Sequence, residues 1–522
     1  MHKRSIVRKI SQVGFSTLVS RFLGMARETL MARYLGIGPI SDAFITAFKI
    51  PNSLRKMLAE GAMSAALVPK IVELKQTKNS QDIDSFMTTA LWAVQGILLC
   101  CSIILWIYAP TVIHVVAPGW HDPAIGFSRS TYAIMFLRIL IPFVLCAAAS
   151  ALLAGALQAS GKYLVPALSP ALLNIILVTG ICIALMYNAP VQWLCWLIVF
   201  GGVAQVIVHV IAYWQHGLRF GRPTISSWGH LLSVVGRFIP CLLGMSIMEI
   251  NLFIDTSFAS YLPSGTMSLI YYANRFMGIP QGVFATALAT VLLPVLSTVT
   301  IEKPARLSFY LLEITKLVLW ITLPVSLIMS FFAPNIFATV FLSKNFPMEK
   351  VIEGAFLLRI FLVGLFCFSL NKILLNMYYA LRATTIPTVI SVAATGINII
   401  LNYLFLDNFG AAGLVWATTI SAIAQAFLFI IFLRKNYSVK LDISRISLFL
   451  LRYIMQLSII FTGAYTLFTG ITYAIHTYTP IYYNFWCNGL GLWLWVGPLC
   501  AGIIILLFES RKFFKIKLYF ID

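Results

Sequence analysis

Ionised side chains stand where this chain should be apolar. Its first two long hydrophobic segments carry Arg21, Arg27, Glu28, Asp42, Lys49, Arg55, Lys56 and Glu60, and a later one carries Arg275. A charge at the centre of a bilayer costs roughly 3 kcal/mol or more, so such residues face a water-filled cavity or pair with one another. Arginine adds a geometric argument. Its planar fork of donors matches phosphate and stays protonated when buried. Arg21, Arg27, Arg55 and Arg275, set on three separate helices around one aqueous cleft, would make an anion site. A cleft that also opens to lipid suits a long-chain phosphate or pyrophosphate. Asp42, Lys49 and Lys56 are spaced by seven and fall on one helix face, drifting about 20° per step. Arg21 and Glu28 share that spacing. Pro51 should bend the same segment and leave backbone groups near Asn52 in need of partners. Arg33, Lys56 and Glu60 are close enough to helix ends to snorkel. Arg138, Arg237, Glu249, Asp255, Arg359 and Lys372 suit cross-helix bridges whose partners the sequence does not specify, and Glu313 with Lys316 suits a surface pair.

The elements that must position these groups are membrane helices. The 522 residues are 60% hydrophobic and 10% charged, with a mean hydropathy of +0.91, against about 25% charged in soluble domains. Apolar stretches recur from end to end, each long enough for the roughly 20 helical residues that a 30 Å core demands. The alternating ten-residue pattern of a membrane barrel is missing. The fold class is an all-α polytopic membrane protein of about fourteen spans, at 8–34, 40–70, 86–112, 129–158, 164–187, 191–214, 231–261, 266–299, 308–334, 351–380, 386–406, 411–433, 449–474 and 485–509.

Alternate loops differ sharply in charge. Twenty-one Lys and Arg fall on one side and three (Arg129, Lys344, Lys350) on the other. The positive-inside rule then makes both termini cytoplasmic, and it explains most of the net charge of +20 without a nucleic-acid surface. The basic start, residues 1–9, lacks a following h-region and cleavage site and is read as retained. The nine cysteines lie in apolar runs without metal spacing. An internal echo is visible. Thr29–Gly38 and Thr256–Gly265 share five of ten residues, and Leu67-Val68-Pro69 returns as Leu292-Leu293-Pro294. The copies lie six spans apart and so have the same topology, a parallel repeat. This divides the chain into lobes at 1–225 and 226–440, followed by two further helices and a basic tail at 441–522.

Rival classes lack their chemistry. A multidrug or cation antiporter needs a carboxylate-rich cation site, whereas the charged helices here carry more basic than acidic residues. An integral-membrane enzyme acting on polyprenyl phosphates needs acidic metal ligands or an activated nucleophile. No P-loop, H-E-x-x-H or Asp cluster occurs, and the seven histidines are scattered. A channel or receptor without transport offers no reason for the arginines.

Ser20-Arg21-Phe-Leu-Gly24-Met-Ala-Arg27-Glu28, Ser41-Asp42-Ala43-Phe44, Phe48-Lys49-Ile-Pro51-Asn52-Ser-Leu54-Arg55 and Ala59-Glu60-Gly61-Ala62 together resemble the MurJ (MviN) family. Tyr271-Tyr272-Ala273-Asn274-Arg275, with Ile279-Pro280 and Gly282-Val283, is similar to its second signature. The resemblance implies a lipid II flippase of the multidrug/oligosaccharidyl-lipid/polysaccharide exporter superfamily, in the bacterial inner membrane. Two six-helix lobes would face a cationic cavity, and the two C-terminal helices would form a groove for the undecaprenyl tail. Arg21, Arg27, Arg55 and Arg275 match the family's cavity arginines, with Glu28, Asp42, Lys49, Asn52, Glu60 and Asn274 as supporting cavity residues. Asn274 stands where some relatives carry Asp, and Gly278 where some carry Glu. No cofactor or metal is implied. Whether membrane potential or a coupling ion drives turnover is open, as are protein partners.

Overall fold

The computed structural model describes residues 23–57, 67, 69–74, 80–121, 123–478, 484–489 and 491–520. Among these the structure is helical throughout, apart from one isolated β-bridge between Ser343 and Phe346. The helices are α1 (residues 23–35), α2 (Pro39–Arg55), α3 (Ser80–Ile107), α4 (Ala109–Val116), α5 (Pro123–Leu140), α6 (Pro142–Ala159), α7 (Leu164–Met186), α8 (Gln192–Gln215) and α9 (Ile225–Ala259). They continue as α10 (Thr266–Pro280), α11 (Thr286–Glu302), α12 (Leu307–Phe331), α13 (Ala333–Phe341), α14 (Met348–Val363), α15 (Leu365–Ala380), α16 (Thr385–Tyr437), α17 (Ile443–Tyr478) and α18 (Gly491–Ser510).

Eight of the described helices are long and apolar enough to cross a membrane, and the pair α14–α15, bent by 45°, makes a ninth if it is one span. α16 supplies two spans, because its 53 residues break at Gly410, where φ is 52°. A left-handed φ of this kind is one that glycine adopts without strain. The turn there is tight: a Cβ on neighbouring Gly413 would lie 2.5 Å from the Phe405 carbonyl oxygen. The 17 residues of α2 are shorter than a full span, and the charges that mark them are those noted in the sequence. Wherever they are described, the expected spans coincide with helix apart from short breaks, which is consistent with about fourteen.

The chain forms two compact units, Met1–Ser268 and Leu269–Asp522, with the boundary in the first turn of α10. In the first unit α2 packs along α5, α8 along both α6 and α7, and α3 along α6 and α9. One of its apolar cores gathers Phe86, Met87, Leu152, Leu153 and Tyr213. In the second unit α15 packs against α11, α12 and α16, around Leu311, Ile373, Leu374, Met377, Tyr378 and Phe429. α17 and α18 pack together, and α17 also meets α12.

The sequence echo has a structural counterpart. Gly38 and Gly265, matched in the echo, each stand immediately before a helix, α2 and α10. Both helices then widen into a π-type turn, at residues 56–57 and at Gln281–Ala285. Gly265 has a φ of 89°.

Candidate functional site: charged residues of the first unit and an apolar groove in the second

Arg21 and Glu60 lie outside the described residues. Arg27 projects from α1, where its Nη1 donates to Asn174 Oδ1 of α7 at 3.0 Å and its Nη2 to Glu28 Oε1 at 2.6 Å. Both charged side chains are mostly covered, at 19% and 14% exposure. The cavity beside them, bounded also by Phe44, Phe48 and Leu177, has about 10 Å³, room for one water.

On α2 the seven-residue spacing meets a matching one on α9. Lys49 Nζ donates to Thr256 Oγ1 at 2.5 Å, and Lys56 Nζ to Glu249 Oε1 at 3.2 Å. Ser53 Oγ donates to the other oxygen of Glu249 at 2.5 Å. Partners seven residues apart on both helices, in opposite order, define an antiparallel seam. Arg55 turns back on its own helix, with Nε and Nη2 donating to Asn52 Oδ1 at 3.3 and 3.2 Å.

Asp42 is fully buried, and so are its partners. Its Oδ2 accepts from the Gly265 amide at 2.7 Å, and its Oδ1 accepts from the Ser268 amide at 2.9 Å and the Ser268 hydroxyl at 2.6 Å. Arg129, 1% exposed, places Nη1 3.8 Å from Asp42 Oδ2 and donates to the Leu262 carbonyl at 3.1 Å. Its guanidinium also lies 5.5 Å from the Trp120 ring. Close by, the Gly119 amide donates to Ser260 Oγ at 2.8 Å. Arg129, counted in the sequence as a loop charge, is therefore a buried ion-pair partner on α5.

Asn274 and Arg275 are exposed on α10. Arg275 Nη2 donates to Tyr271 Oη at 2.9 Å, with the guanidinium 4.8 Å from that ring. A Cβ on Gly278 would meet nothing within 4 Å.

The second unit contains an apolar groove of about 910 Å³ between α12, α17 and α18. Leu319, Leu327, Phe331, Ile454, Phe461 and Ile503 are among its walls, and among the described residues Arg359 of α14 is the one basic group on them.

Three residues not singled out as site residues now stand beside those that were: Asn174, Glu249 and Arg129. Asn174 had a signal, a lone amide in the middle of an apolar span. Arg138, assigned no partner from sequence, donates to the Trp106 carbonyl at 3.3 Å and lies 4.9 Å from its ring.

A bundle of helices long and apolar enough to cross a membrane, with buried charges and an apolar groove, is the architecture of a polytopic membrane protein. Solved structures agree on the fold. The chain superposes on one described as lipid II flippase MurJ in an inward closed conformation with a TM-score of 0.77, at 23% identity over 96% of this chain and 98% of that one. It also matches an inward-facing multidrug resistance MATE transporter of the MOP superfamily, at 0.69 and 16% identity over 80% and 94%. The family model for lipid II flippase MurJ matches residues 31–484, and the chain belongs to that family. It is 30% identical to the lipid II flippase MurJ of Burkholderia cenocepacia over 442 residues, covering 83% of this chain and 84% of the relative. It is 29% identical to a probable lipid II flippase MurJ of Buchnera aphidicola over 445 residues, covering 84% and 85%.

Proposed function

We infer that this chain moves lipid II, the peptidoglycan precursor, from the cytoplasmic to the outer leaflet of the bacterial inner membrane. The family match over residues 31–484 carries this reading. The charge pattern supports it over cation antiport, since α1 and α2 carry Arg27, Arg33, Lys49 and Arg55 against Glu28 and Asp42, and Asp42 is enclosed by its own partners. Arg21, Arg27, Arg55 and Arg275 hold the pyrophosphate, with Glu28, Asp42, Lys49, Asn52, Glu60 and Asn274 shaping or orienting the site. Access alternates between lobes at 1–225 and 226–440, and the helices of 441–522 guide the tail. No bond is made or broken, so the chain is a transporter and not an enzyme. Two negative charges moving outward across an inside-negative membrane gain about 2.3 kcal/mol each per 100 mV, reduced by any arginine that moves with them. Purified protein in liposomes should render labelled lipid II accessible on the opposite face. Accessibility equal to that in protein-free liposomes would remove the reading.

Both termini are cytoplasmic in this proposal. In a cysteine-depleted background, cysteines at Lys78, Arg222 and Arg511 should resist a membrane-impermeant thiol reagent from outside, while those at His121 and Thr477 react. Labelling at 222 from outside would invert the orientation.

A further inference from the structure

The groove of the second unit holds a charge that its surroundings do not explain. Arg359 is exposed, and its Nε donates to the Ser330 carbonyl in the last turn of α12 at 3.0 Å. Among the described residues, that is its one hydrogen bond. The guanidinium lies on the wall of a groove lined mainly by Leu, Ile and Phe, with Ser330, Ser458, Thr462 and Tyr465 among them. An ionised arginine costs roughly 3 kcal/mol or more at the bilayer centre, so near a helix end its guanidinium reaches for water or phosphate at the interface.

The position along the groove indicates which anion. α17 lines it from Leu450 to Phe468, about 27 Å of helix at 1.5 Å per residue, close to the thickness of a hydrocarbon core. At the Arg359 end the walls turn aromatic. The Phe468 ring lies 5.3 Å from Phe331, 5.4 Å from Phe332 and 5.2 Å from Trp495. Trp493 and Trp495 both place their ring N–H on a partner, Thr339 Oγ1 at 2.9 Å and the Trp486 carbonyl at 3.0 Å. Such aromatic belts mark the headgroup level. Arg359 thus stands at the headgroup end of a groove one leaflet-to-leaflet span long, with a bidentate fork unused.

We propose that Arg359 is a second phosphate site. The groove holds the chain of a polyprenyl diphosphate lengthwise, and Arg359 holds its phosphate at the aromatic end, which the charge asymmetry of the loops places outward. The occupant rests on the proposed function; the site itself rests on charge complementarity and groove length. It differs from Arg27, which is mostly covered, in being exposed, and so suits a lipid that has already crossed.

Native mass spectrometry of the full chain with undecaprenyl diphosphate tests this, with phosphatidylglycerol as the competing lipid. Arg359→Gln should lower diphosphate retention roughly tenfold, the size of one charge-assisted contact, with phosphatidylglycerol unaffected and the thermal midpoint unchanged. Arg359→Lys should keep part of the retention. Ile454→Trp narrows the groove but spares the Ser330 contact, so it should also lower retention; it keeps the groove testable if Arg359→Gln proves unstable. Unchanged diphosphate retention in Arg359→Gln and Ile454→Trp would overturn the proposal, and a lower midpoint alone would make Arg359 a cap on α12. An equal loss of phosphatidylglycerol would overturn it as well, because the site would then serve bilayer phospholipid. Wild-type protein that binds the diphosphate but moves no lipid II defeats the transport reading and leaves this comparison intact.

Discussion

Arg27→Glu is expected to abolish lipid II transport while the protein still inserts in the membrane. Arg27 is held by Asn174 and Glu28 at 3.0 and 2.6 Å. The reversal sets a new carboxylate beside Glu28 and turns it toward the headgroup's own negative charge. At about 4 Å, a pair of unit charges near a protein surface is worth about 4 kcal/mol, and the substitution converts attraction to repulsion. A fall in flipping rate of more than about a hundredfold is expected in liposomes, with no growth when the variant is the sole copy in a depletion strain. Arg27→Lys keeps the charge but loses the fork and should be intermediate. Full growth with Arg27→Glu would remove Arg27 from the anion site.

The second large effect is on stability. Asp42→Ala leaves Arg129 at 1% exposure without its carboxylate and strips acceptors from the Gly265 and Ser268 amides. Removing one partner of a buried pair costs about 3–5 kcal/mol, and each orphaned donor about 1–3 kcal/mol. The thermal midpoint in detergent should fall by several degrees. Adding Arg129→Leu should recover part of the loss, since an apolar pair tolerates burial better than a single charge. A wild-type midpoint for Asp42→Ala would show that the carboxylate is dispensable to folding, and would favour a direct role in binding.

The helices and the charged segments were legible because each depends on local sequence. Length and hydropathy define a span, and Gly38 and Gly265 mark turns through the chemistry of one residue. The seven-residue spacing of Asp42, Lys49 and Lys56 did place Lys49 and Lys56 on one seam, the one they share with α9. What the sequence does not carry is the identity of the partners. Asn174 lies 147 residues from Arg27, and Glu249 lies 193 from Lys56; only packing brings them together. Arg129 shows the converse. Its place near an apolar segment's end fits a loop charge, and only the fold encloses it. The resemblance implied a groove on the two C-terminal helices, but the part of its wall that comes from α12 and from Arg359 of α14 was not legible, for the same reason.

The break at Gly410 bears on what the fold tolerates. With a left-handed φ at one residue and no room for a side chain on Gly413, the halves of α16 are joined without a loop. No slack absorbs a change there, so a side chain added at 410 or 413 strains both halves at once, unlike a substitution in a long surface loop.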